Sequence, residues 1–282
     1  MLKLIECPRD AMQGLNILIP TQDKVDYINQ LLRVGFDTLD FGSFVSPKAI
    51  PQMADTAEVI EQIDKGDSKT KLLAIVANLK GAIHASNYDI IDYLGYPFSI
   101  SETFQQRNTN ASIEESMERV REIQNMCKES NKQLVIYISM GFGNPYNDPY
   151  SPDIVLQWVE KLMKYDISIF SLSDTVGLAD PKTIEYLYKK IIPTFPEVEF
   201  GAHLHSAPHN WYDRVKAAME NGCMRFDSAI GGYGGCPMAA DDLVGNMSTE
   251  NLISFFQDKL TSDFNMDEFE KSIRKAKEIF PK

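Results

Sequence analysis

Short runs rich in β-branched and aromatic residues alternate along the chain with longer runs in which apolar residues recur at helical spacing. The short runs predict eight strands, at residues 2–7, 38–44, 71–79, 91–100, 133–140, 167–174, 198–205 and 224–230. The longer runs predict helices between them, and the first helix has an apolar stripe formed by Val25, Ile28, Leu31 and Leu32. Regular alternation of strand and helix is typical of an α/β fold with a parallel sheet.

Three of the helices begin with capping signals. Residues 112–115 (SIEE) form a capping box, and Ser151 and Asp180 each precede a proline, which is favoured at the first helical position. Eight strand–helix units of roughly 30 residues match the size of a (β/α)8 TIM barrel. An open doubly wound sheet would alternate in the same way, but no Gly-x-Gly-x-x-Gly follows an early strand.

We therefore expect one catalytic domain over residues 1–282, with the barrel at about 1–260 and an additional C-terminal helix at about 263–280. A chain of 282 residues with 44% hydrophobic content can bury a large core. The net charge of −12 argues against binding to nucleic acid or to an anionic membrane surface, although a local basic patch could still bind an anionic substrate.

The sequence predicts a cytoplasmic protein. No apolar run approaches the roughly 18 residues of a membrane span, and the first six residues are too short and acidic for a signal peptide. The four cysteines are widely spaced without a Cys-x-x-Cys pair, so neither a disulfide framework nor a structural zinc site is indicated. Buried free thiols are the expectation, with Cys236 as the exception considered below.

His203 and His205 end the seventh predicted strand, and the two-residue period of a strand points both imidazoles the same way. The pair is half of a metal site or, alternatively, a solvated polar strand end. In a (β/α)8 barrel the chemistry lies at the carboxyl ends of the strands, where Asp10 follows strand one. One carboxylate and two imidazoles suit Mg, Mn, Zn or Fe(II), and an oxygen ligand from Asn246 would favour Mg or Mn.

Other charged side chains follow the predicted strands. Arg9 is either an ion-pair partner of its neighbour Asp10 or a cation that stabilises a developing oxyanion. Asp40 and Asp174 either orient ligands and move protons or are structural carboxylates. After strand eight, a glycine-rich run (GGYGG, 231–235) precedes Cys236, which suits a mobile loop whose thiol carries a proton; an inert cysteine is the alternative.

Six motifs, in this order, resemble hydroxymethylglutaryl-CoA lyase of the DRE-TIM metallolyase superfamily. They are residues 8–13 (PRDAMQ), 43–48 (SFVSPK) with 51–53 (PQM), 110–116 (NASIEES), 173–177 (SDTVG), 203–205 (HLH) and 234–237 (GGCP). The resemblance covers about residues 4–255. It implies a (β/α)8 metallolyase, related to acyl-CoA-condensing synthases, that cleaves 3-hydroxy-3-methylglutaryl-CoA to acetyl-CoA and acetoacetate.

The resemblance also implies roles for individual residues. The divalent metal ligands would be Asp10, His203, His205 and Asn246. The catalytic residues would be Arg9 on the thioester enolate, Asp174 near the reacting hydroxyl, Asp40 at the site and Cys236 as proton carrier. Contacts to the acyl-CoA substrate would come from Gln13, Ser43, Lys48, Lys80 and Arg107, where exposed solvated side chains are the alternative for the three cations. A homodimer is compatible with the family and with the tail helix.

Three departures from the family pattern lie around the pocket. Ile5 occupies the position of the strand-one glutamate, and Glu6 would face the other side of the strand unless a bulge intervenes. Ser206 replaces an aspartate, and the spacing from Cys236 to Asn246 is one residue longer. They leave open a different 3-hydroxyacyl-CoA or a 2-hydroxy acid as substrate. A condensing synthase acting on an α-keto acid and a non-catalytic barrel that binds CoA esters are further alternatives.

Overall fold

Eight parallel strands close into a barrel in which each strand pairs with its neighbours in chain order. The computed structural model describes residues 1–207, 209–235 and 245–280. The strands are β1 (Lys3–Glu6), β2 (Thr38–Ser43), β3 (Lys71–Ile75), β4 (Tyr93–Ser99), β5 (Gln133–Ser139), β6 (Ile169–Asp174), β7 (Glu199–Leu204) and β8 (Arg225–Ser228). Parallel pairing of β1 with β8, from Lys3 opposite Arg225 to Glu6 opposite Ser228, closes the barrel.

Helices connect the strands and surround the barrel. Those in the described residues are α1 (Pro8–Gln13), α2 (Thr21–Leu31), α3 (Thr56–Ile60), α4 (Leu79–Ser86), α5 (Glu102–Thr109), α6 (Ile113–Glu129), α7 (Pro152–Met163), α8 (Pro181–Thr194), α9 (Trp211–Glu220), α10 (Thr249–Phe255) and α11 (Met266–Ile279). The predicted TIM barrel with an additional C-terminal helix is confirmed. No helix in these described ranges has the length and apolar composition needed to cross a membrane.

The predicted capping signals start the helices as expected. The hydroxyl of Ser112 accepts a hydrogen bond from the backbone of Glu115, whose carboxylate accepts one from the backbone of Ser112 in return. Ser151 caps α7 by accepting a hydrogen bond from the Ile154 amide, and Asp180 caps α8 by accepting from the amides of Lys182 and Thr183; each is followed by proline at the first helical position. These bonds satisfy amide groups that have no partner within the helix.

Seven of the eight strands end one to four residues earlier than the hydrophobic pattern predicts, and at β1 and β3 the cause is a helix that begins close behind the strand. β1 stops at Glu6 because Pro8 begins α1, so Arg9 and Asp10 lie on a short helix rather than in a loop. β3 stops at Ile75 because the side chain of Asn78 caps α4 by accepting a hydrogen bond from the Gly81 amide. The residues after both strands still face the mouth of the barrel.

The apolar core has two layers. A large cluster fills the space between the strands and the helices, and a small one inside the barrel consists of Leu73, Tyr93, Val135, Tyr137 and Ile169. The last helix, α11, packs outside the barrel on α2. The Phe280 ring at its end stacks on Tyr233 of the glycine-rich run at 4.7 Å between centroids and lies edge-on to Tyr27. Cys7, Cys127 and Cys223 are buried free thiols.

Candidate active site

Asp10, His203 and His205 come together at the carboxyl ends of the strands. One ligand atom from each lies within 4.8 Å of the others, and the two imidazole centroids are 5.3 Å apart. Asp10 is placed by α1, and His203 and His205 lie on the same side of β7 and its end because side chains alternate along a strand. The structure therefore forms the three-residue group that the strand ends predict.

Both oxygens of the Asp10 carboxylate accept hydrogen bonds. Arg9 Nη1 and Gln13 Nε2 donate to Oδ1 at 2.7 and 2.6 Å, and Asn246 Nδ2 donates to Oδ2 at 2.7 Å. Burial alone would raise the pKa of Asp10, but the Arg9 charge and the two imidazoles lower it to about 2. The carboxylate is thus held in its ionised, metal-binding form.

Arg9 is fixed between two carboxylates. Its Nε donates to both oxygens of Asp40 at 3.1 Å, and its Nη2 donates to Oδ2 of the same group. All three side chains of this network, Arg9, Asp10 and Asp40, are buried. Burial raises the pKa of Asp40 to about 6 against the lowering effect of Arg9, and the two carboxylates raise the pKa of the guanidinium despite its burial. The cation therefore has one orientation at the floor of the site.

His203 is oriented from below by a carboxylate that the sequence analysis does not single out. Its Nδ1 lies 3.1 Å from Asp227 Oδ2, which also accepts a hydrogen bond from Ser171 Oγ at 3.3 Å. Burial would lower the pKa of His203, but Asp227 raises it. Burial lowers the pKa of His205 to about 4, so that imidazole is neutral at pH 7. Neutral imidazole is the metal-binding form.

Asn246 reaches the site from the segment that returns after β8. It forms an isolated antiparallel bridge with His205, and its Nδ2 donates to the carbonyl of Tyr233 at 2.9 Å as well as to Asp10. The glycine-rich run approaches closely here, because a Cβ on Gly234 would lie 2.5 Å from the Asp10 carbonyl oxygen. Gly234 also has φ +95°, so both the close contact and the backbone conformation exclude a side chain at this position.

A cavity of about 370 Å³ opens from this group toward the barrel mouth. Arg9, Asp10, Gln13, His203 and His205 line its floor. The remaining lining residues, which are more apolar or form the rim, include Ser43, Val45, Ile75, Pro97, Phe104, Arg107, Tyr137 and Ser139. This volume lies within the range of small-molecule binding sites.

The predicted substrate-binding residues separate into two groups. Gln13 and Ser43 line the cavity, and Arg107 does so with its guanidinium 4.8 Å above the ring of Tyr146. Lys48 and Lys80 are exposed and lie outside the cavity lining. The cavity itself therefore does not form their predicted contact with substrate.

The last two residues predicted to be catalytic are Asp174 and Cys236. Asp174 faces away from the cavity and accepts a hydrogen bond from Arg214 Nη1 at 3.1 Å; the same nitrogen donates to the carbonyl of His205. Burial raises the pKa of Asp174 to about 6, against the lowering effect of Arg214. Asp174 thus contacts the end of β7 through Arg214 and does not touch the cavity. Cys236 lies outside the described residues.

Two interior residues add to the predicted site. Asp227 lies on the face of β8 that points into the barrel, two residues beyond Arg225. Tyr137 lines the cavity, its ring meets His203 edge-on, and its buried hydroxyl has no hydrogen-bond partner among residues that the structure describes. The sequence signal for Asp227 is a carboxylate in a short strand whose four residues are all buried, since a carboxylate is rarely buried unless it is paired.

Sequence comparison links this barrel to a family of lyases. The HMGL-like family pattern matches residues 3–274. Hydroxymethylglutaryl-CoA lyase of Bacillus subtilis is 33% identical over 246 residues, which is 87% of this chain and 81% of that protein. The cytoplasmic 3-hydroxy-3-methylglutaryl-CoA lyase of Rattus norvegicus is 32% identical over 252 residues, covering 89% of this chain and 73% of the relative.

Solved structures agree with the sequence relatives. The HMG-CoA lyase of Acinetobacter baumannii in complex with coenzyme A and 3-methylmalate superposes with a TM-score of 0.91 at 31% identity. The superposition covers 99% of this chain and 91% of that one. The resemblance carried by the six motifs is confirmed, and the relatives are lyases. This chain is an enzyme that belongs to the HMGL-like family of carbon–carbon lyases.

Proposed function

We propose that the protein cleaves 3-hydroxy-3-methylglutaryl-CoA to acetyl-CoA and acetoacetate with the help of a bound divalent metal ion. The observation that carries this proposal is the convergence of Asp10, His203 and His205 beside a buried guanidinium at the floor of one cavity. Similarity to hydroxymethylglutaryl-CoA lyases over most of the chain supports the choice of substrate.

The donor set fits Mg²⁺ or Mn²⁺. Asp10 offers carboxylate oxygen, His203 and His205 offer imidazole nitrogen, and open positions remain toward the cavity. Asn246 completes the set if its amide turns by half a rotation, because Oδ1 then replaces Nδ2 beside Asp10. When bound, the metal lowers the pKa of the tertiary hydroxyl of the substrate, which must lose its proton before the carbon–carbon bond breaks.

Arg9 supplies the charge that the departing group needs. Cleavage leaves acetyl-CoA as an enolate, whose negative charge accumulates on the thioester oxygen. A guanidinium locked by Asp40 and Asp10 requires no reorganisation to meet that oxygen, which is the condition for effective electrostatic stabilisation. Asp40 therefore acts in this proposal by holding Arg9, with its buried carboxylate directly behind the cation.

Proton transfer completes the reaction. The proton that the hydroxyl loses is balanced by one that the enolate carbon takes up, so the overall reaction releases none. The resemblance assigns the donor role to the Cys236 thiol, with water as the alternative donor. Asp174, predicted near the reacting hydroxyl, contacts Arg214 in this structure. We propose that it supports the site through that contact, because Arg214 also holds the backbone of His205.

The rim of the cavity suits the coenzyme A portion of the substrate. The relative from Acinetobacter baumannii is in complex with coenzyme A, and we propose an acyl-CoA substrate for this protein as well. Arg107 is the best-placed cation for a CoA phosphate because it lines the cavity and stacks on Tyr146. Lys48 and Lys80 would add long-range attraction from the rim, while Gln13 and Ser43 contact the acyl end.

A second candidate substrate is a neighbouring 3-hydroxyacyl-CoA. Ile5 is fully buried and lies on the same face of β1 as Cys7, which belongs to the interior group with His203 and Asp227. The position where the family pattern has a glutamate therefore presents an alkyl group to the barrel interior. The loss of a carboxylate beneath the site favours a different acyl group without altering the metal ligands.

The test is a coupled assay of purified protein with 3-hydroxy-3-methylglutaryl-CoA, a thiol reductant and Mg²⁺ or Mn²⁺. We expect acetoacetate and acetyl-CoA from the wild type and loss of both products in Asp10→Ala and His205→Ala. His209→Ala is the matched control, because His209 is an exposed imidazole four residues from His205 and outside the cavity lining.

Two outcomes would count against the proposal. Product formation that persists in His205→Ala would exclude the proposed metal site. A wild-type protein that binds Mn²⁺ but leaves 3-hydroxy-3-methylglutaryl-CoA intact would point to the second candidate, and other 3-hydroxyacyl-CoA esters would then be assayed under the same conditions.

A further inference from the structure

Glu6 is a buried carboxylate that takes no part in the proposed chemistry. It follows Ile5 in a regularly paired strand, so its side chain points out of the barrel toward the segments that flank β8. Glu6 is completely buried. Oε1 accepts a hydrogen bond from the Ile230 amide at 2.9 Å, and Oε2 is 2.5 Å from the hydroxyl of Thr249.

These two partners stand at opposite ends of one excursion of the chain. Ile230 precedes the glycine-rich run, and Thr249 follows the return segment that carries Asn246. The ends are also paired by backbone bonds, from Ala229 N to the Met247 carbonyl and from Thr249 N to the Ala229 carbonyl. A single carboxylate thus fastens both ends of the excursion to β1.

The contacts of Thr249 are compatible with a neutral Glu6. Its hydroxyl has one proton but two oxygen neighbours, Glu6 Oε2 and Ser228 Oγ at 2.9 Å. A neutral Glu6 donates to Thr249, which then donates to Ser228, while Oε1 still accepts from Ile230. Ser228 Oγ in turn lies 3.5 Å from the Ile5 carbonyl and can donate to it. Burial raises the pKa of Glu6 to about 8, in agreement with this chain of donors and acceptors.

The positions of these two ends affect the geometry of the active site. Asn246 lies three residues before Thr249 and donates to Asp10 and to the Tyr233 carbonyl. Displacement of either end would move Asn246 or Tyr233 relative to Asp10. The outward face of β1 thus determines part of the geometry on the inward side, although Glu6 touches none of the cavity residues.

We propose that Glu6 is a positioning residue that holds Ile230 and Thr249 together on β1 and thereby places Asn246 against Asp10. Asn246 is a metal ligand only in the proposed function, so this inference rests in part on that function. The hydrogen bonds that carry it are independent of any substrate.

Two variants separate the hydrogen-bonding role of Glu6 from the effect of its charge. Glu6→Gln keeps an acceptor for Ile230 and a donor for Thr249, so it mimics the neutral acid. Glu6→Val removes both bonds. Thr249→Val is a milder change that removes one bond and keeps the side-chain shape, and it remains informative if Glu6→Val does not fold.

The first measurement is amide hydrogen exchange of residues 229–235 and 245–249 in the protein without substrate, together with its Mn²⁺ affinity. We expect wild-type protection in Glu6→Gln and exchange faster by at least about tenfold in Glu6→Val and Thr249→Val, because the protecting bonds are lost. Mn²⁺ affinity should fall in the valine variants and recover in Glu6→Gln.

Unchanged exchange and unchanged Mn²⁺ affinity in both valine variants would overturn the inference. So would a Glu6→Gln variant as perturbed as Glu6→Val, since the carboxylate would then act by its charge. Neither measurement uses 3-hydroxy-3-methylglutaryl-CoA, so failure of the proposed reaction leaves this test intact. Where the reaction is observed, kcat should fall in the valine variants more than KM changes, because the acyl-CoA contacts of the rim are untouched.

Discussion

Asp227 Oδ2 lies 3.1 Å from Nδ1 of His203 and leaves Nε2 as the imidazole nitrogen free to bind a metal ion. The pair joins β7 and β8 inside the barrel. Carboxylates in this position fix the tautomer and the ring orientation of metal-binding histidines. The proposed metal site therefore includes Asp227, which orients the ligand His203 without binding the metal itself.

Replacing Asp227 by Asn should weaken Mn²⁺ binding by about 10- to 100-fold, because the negative charge that favours the Nε2-binding tautomer is lost. Titration followed by electron paramagnetic resonance measures the affinity directly. Ser171→Ala is the matched control, since it removes only a 3.3 Å hydroxyl contact to the same carboxylate. Equal affinities of Asp227→Asn and wild type would show that His203 needs no partner.

Arg9→Lys should lower kcat by about 10²- to 10³-fold while Mn²⁺ affinity stays within a few-fold of wild type. Lysine retains the charge but cannot bond Asp40 and Asp10 simultaneously through a planar fork. Steady-state kinetics with 3-hydroxy-3-methylglutaryl-CoA measure the effect. Arg33→Lys, at an exposed position outside the cavity lining, is the control. A wild-type kcat in Arg9→Lys would remove Arg9 from enolate stabilisation.

Arg107→Ala should raise KM by about tenfold with little change in kcat, because a contact to the CoA portion is present equally in the ground state and the transition state. Lys182→Ala, which removes an exposed cation outside the cavity lining, should leave both parameters unchanged. A fall in kcat without a change in KM would place Arg107 in the chemical step instead of the binding of substrate.

Stability should depend on pH through Glu6. Burial raises its pKa in the folded state to about 8, with nearby Glu250 adding to the rise and with Tyr27 packed close by. The folded state then binds a proton that the unfolded chain has released, so stability is fully present below about pH 4.5 and falls as pH rises to 8. One proton corresponds to a slope of about 1.4 kcal/mol per pH unit.

Chemical denaturation of wild type and Glu6→Gln between pH 5 and pH 9 tests this dependence. The Gln variant cannot titrate, so its stability should lose that slope, and the difference between the two proteins should level off above about pH 8. Parallel curves for the two proteins across the whole range would mean that Glu6 is ionised in the folded state.

The sequence predicts the barrel well because its signals are local. Eight apolar runs, the capping box at Ser112 and the prolines after Ser151 and Asp180 each act within a few residues, and the structure contains all of them. The ends of the strands depend on competing local signals. Asn78 belongs to an apolar run that predicts a strand, yet its side chain caps α4. A side chain that bonds to the nearby backbone offers the chain an alternative to strand pairing.

The sequence predicts the candidate site best where a family motif lies at the carboxyl end of a strand, as at Asp10, His203 and His205. Asp174 and Asp227 show the limit. Both lie on strands that are buried on both faces, so apolar periodicity does not reveal which face meets the interior. The register turns Asp227 inward toward His203 and Asp174 outward toward Arg214. Either orientation is compatible with the sequence alone.

The hydrogen bond between Asn246 and Asp10 spans 236 positions of the chain and exists only after β8 has paired with β1. Contacts of such long sequence separation form late, because loop closure over most of the chain has to precede them. A folding intermediate that lacks the last strand would possess both histidines but not the complete set of proposed metal ligands. Tight Mn²⁺ binding during refolding would therefore report the moment at which the barrel closes.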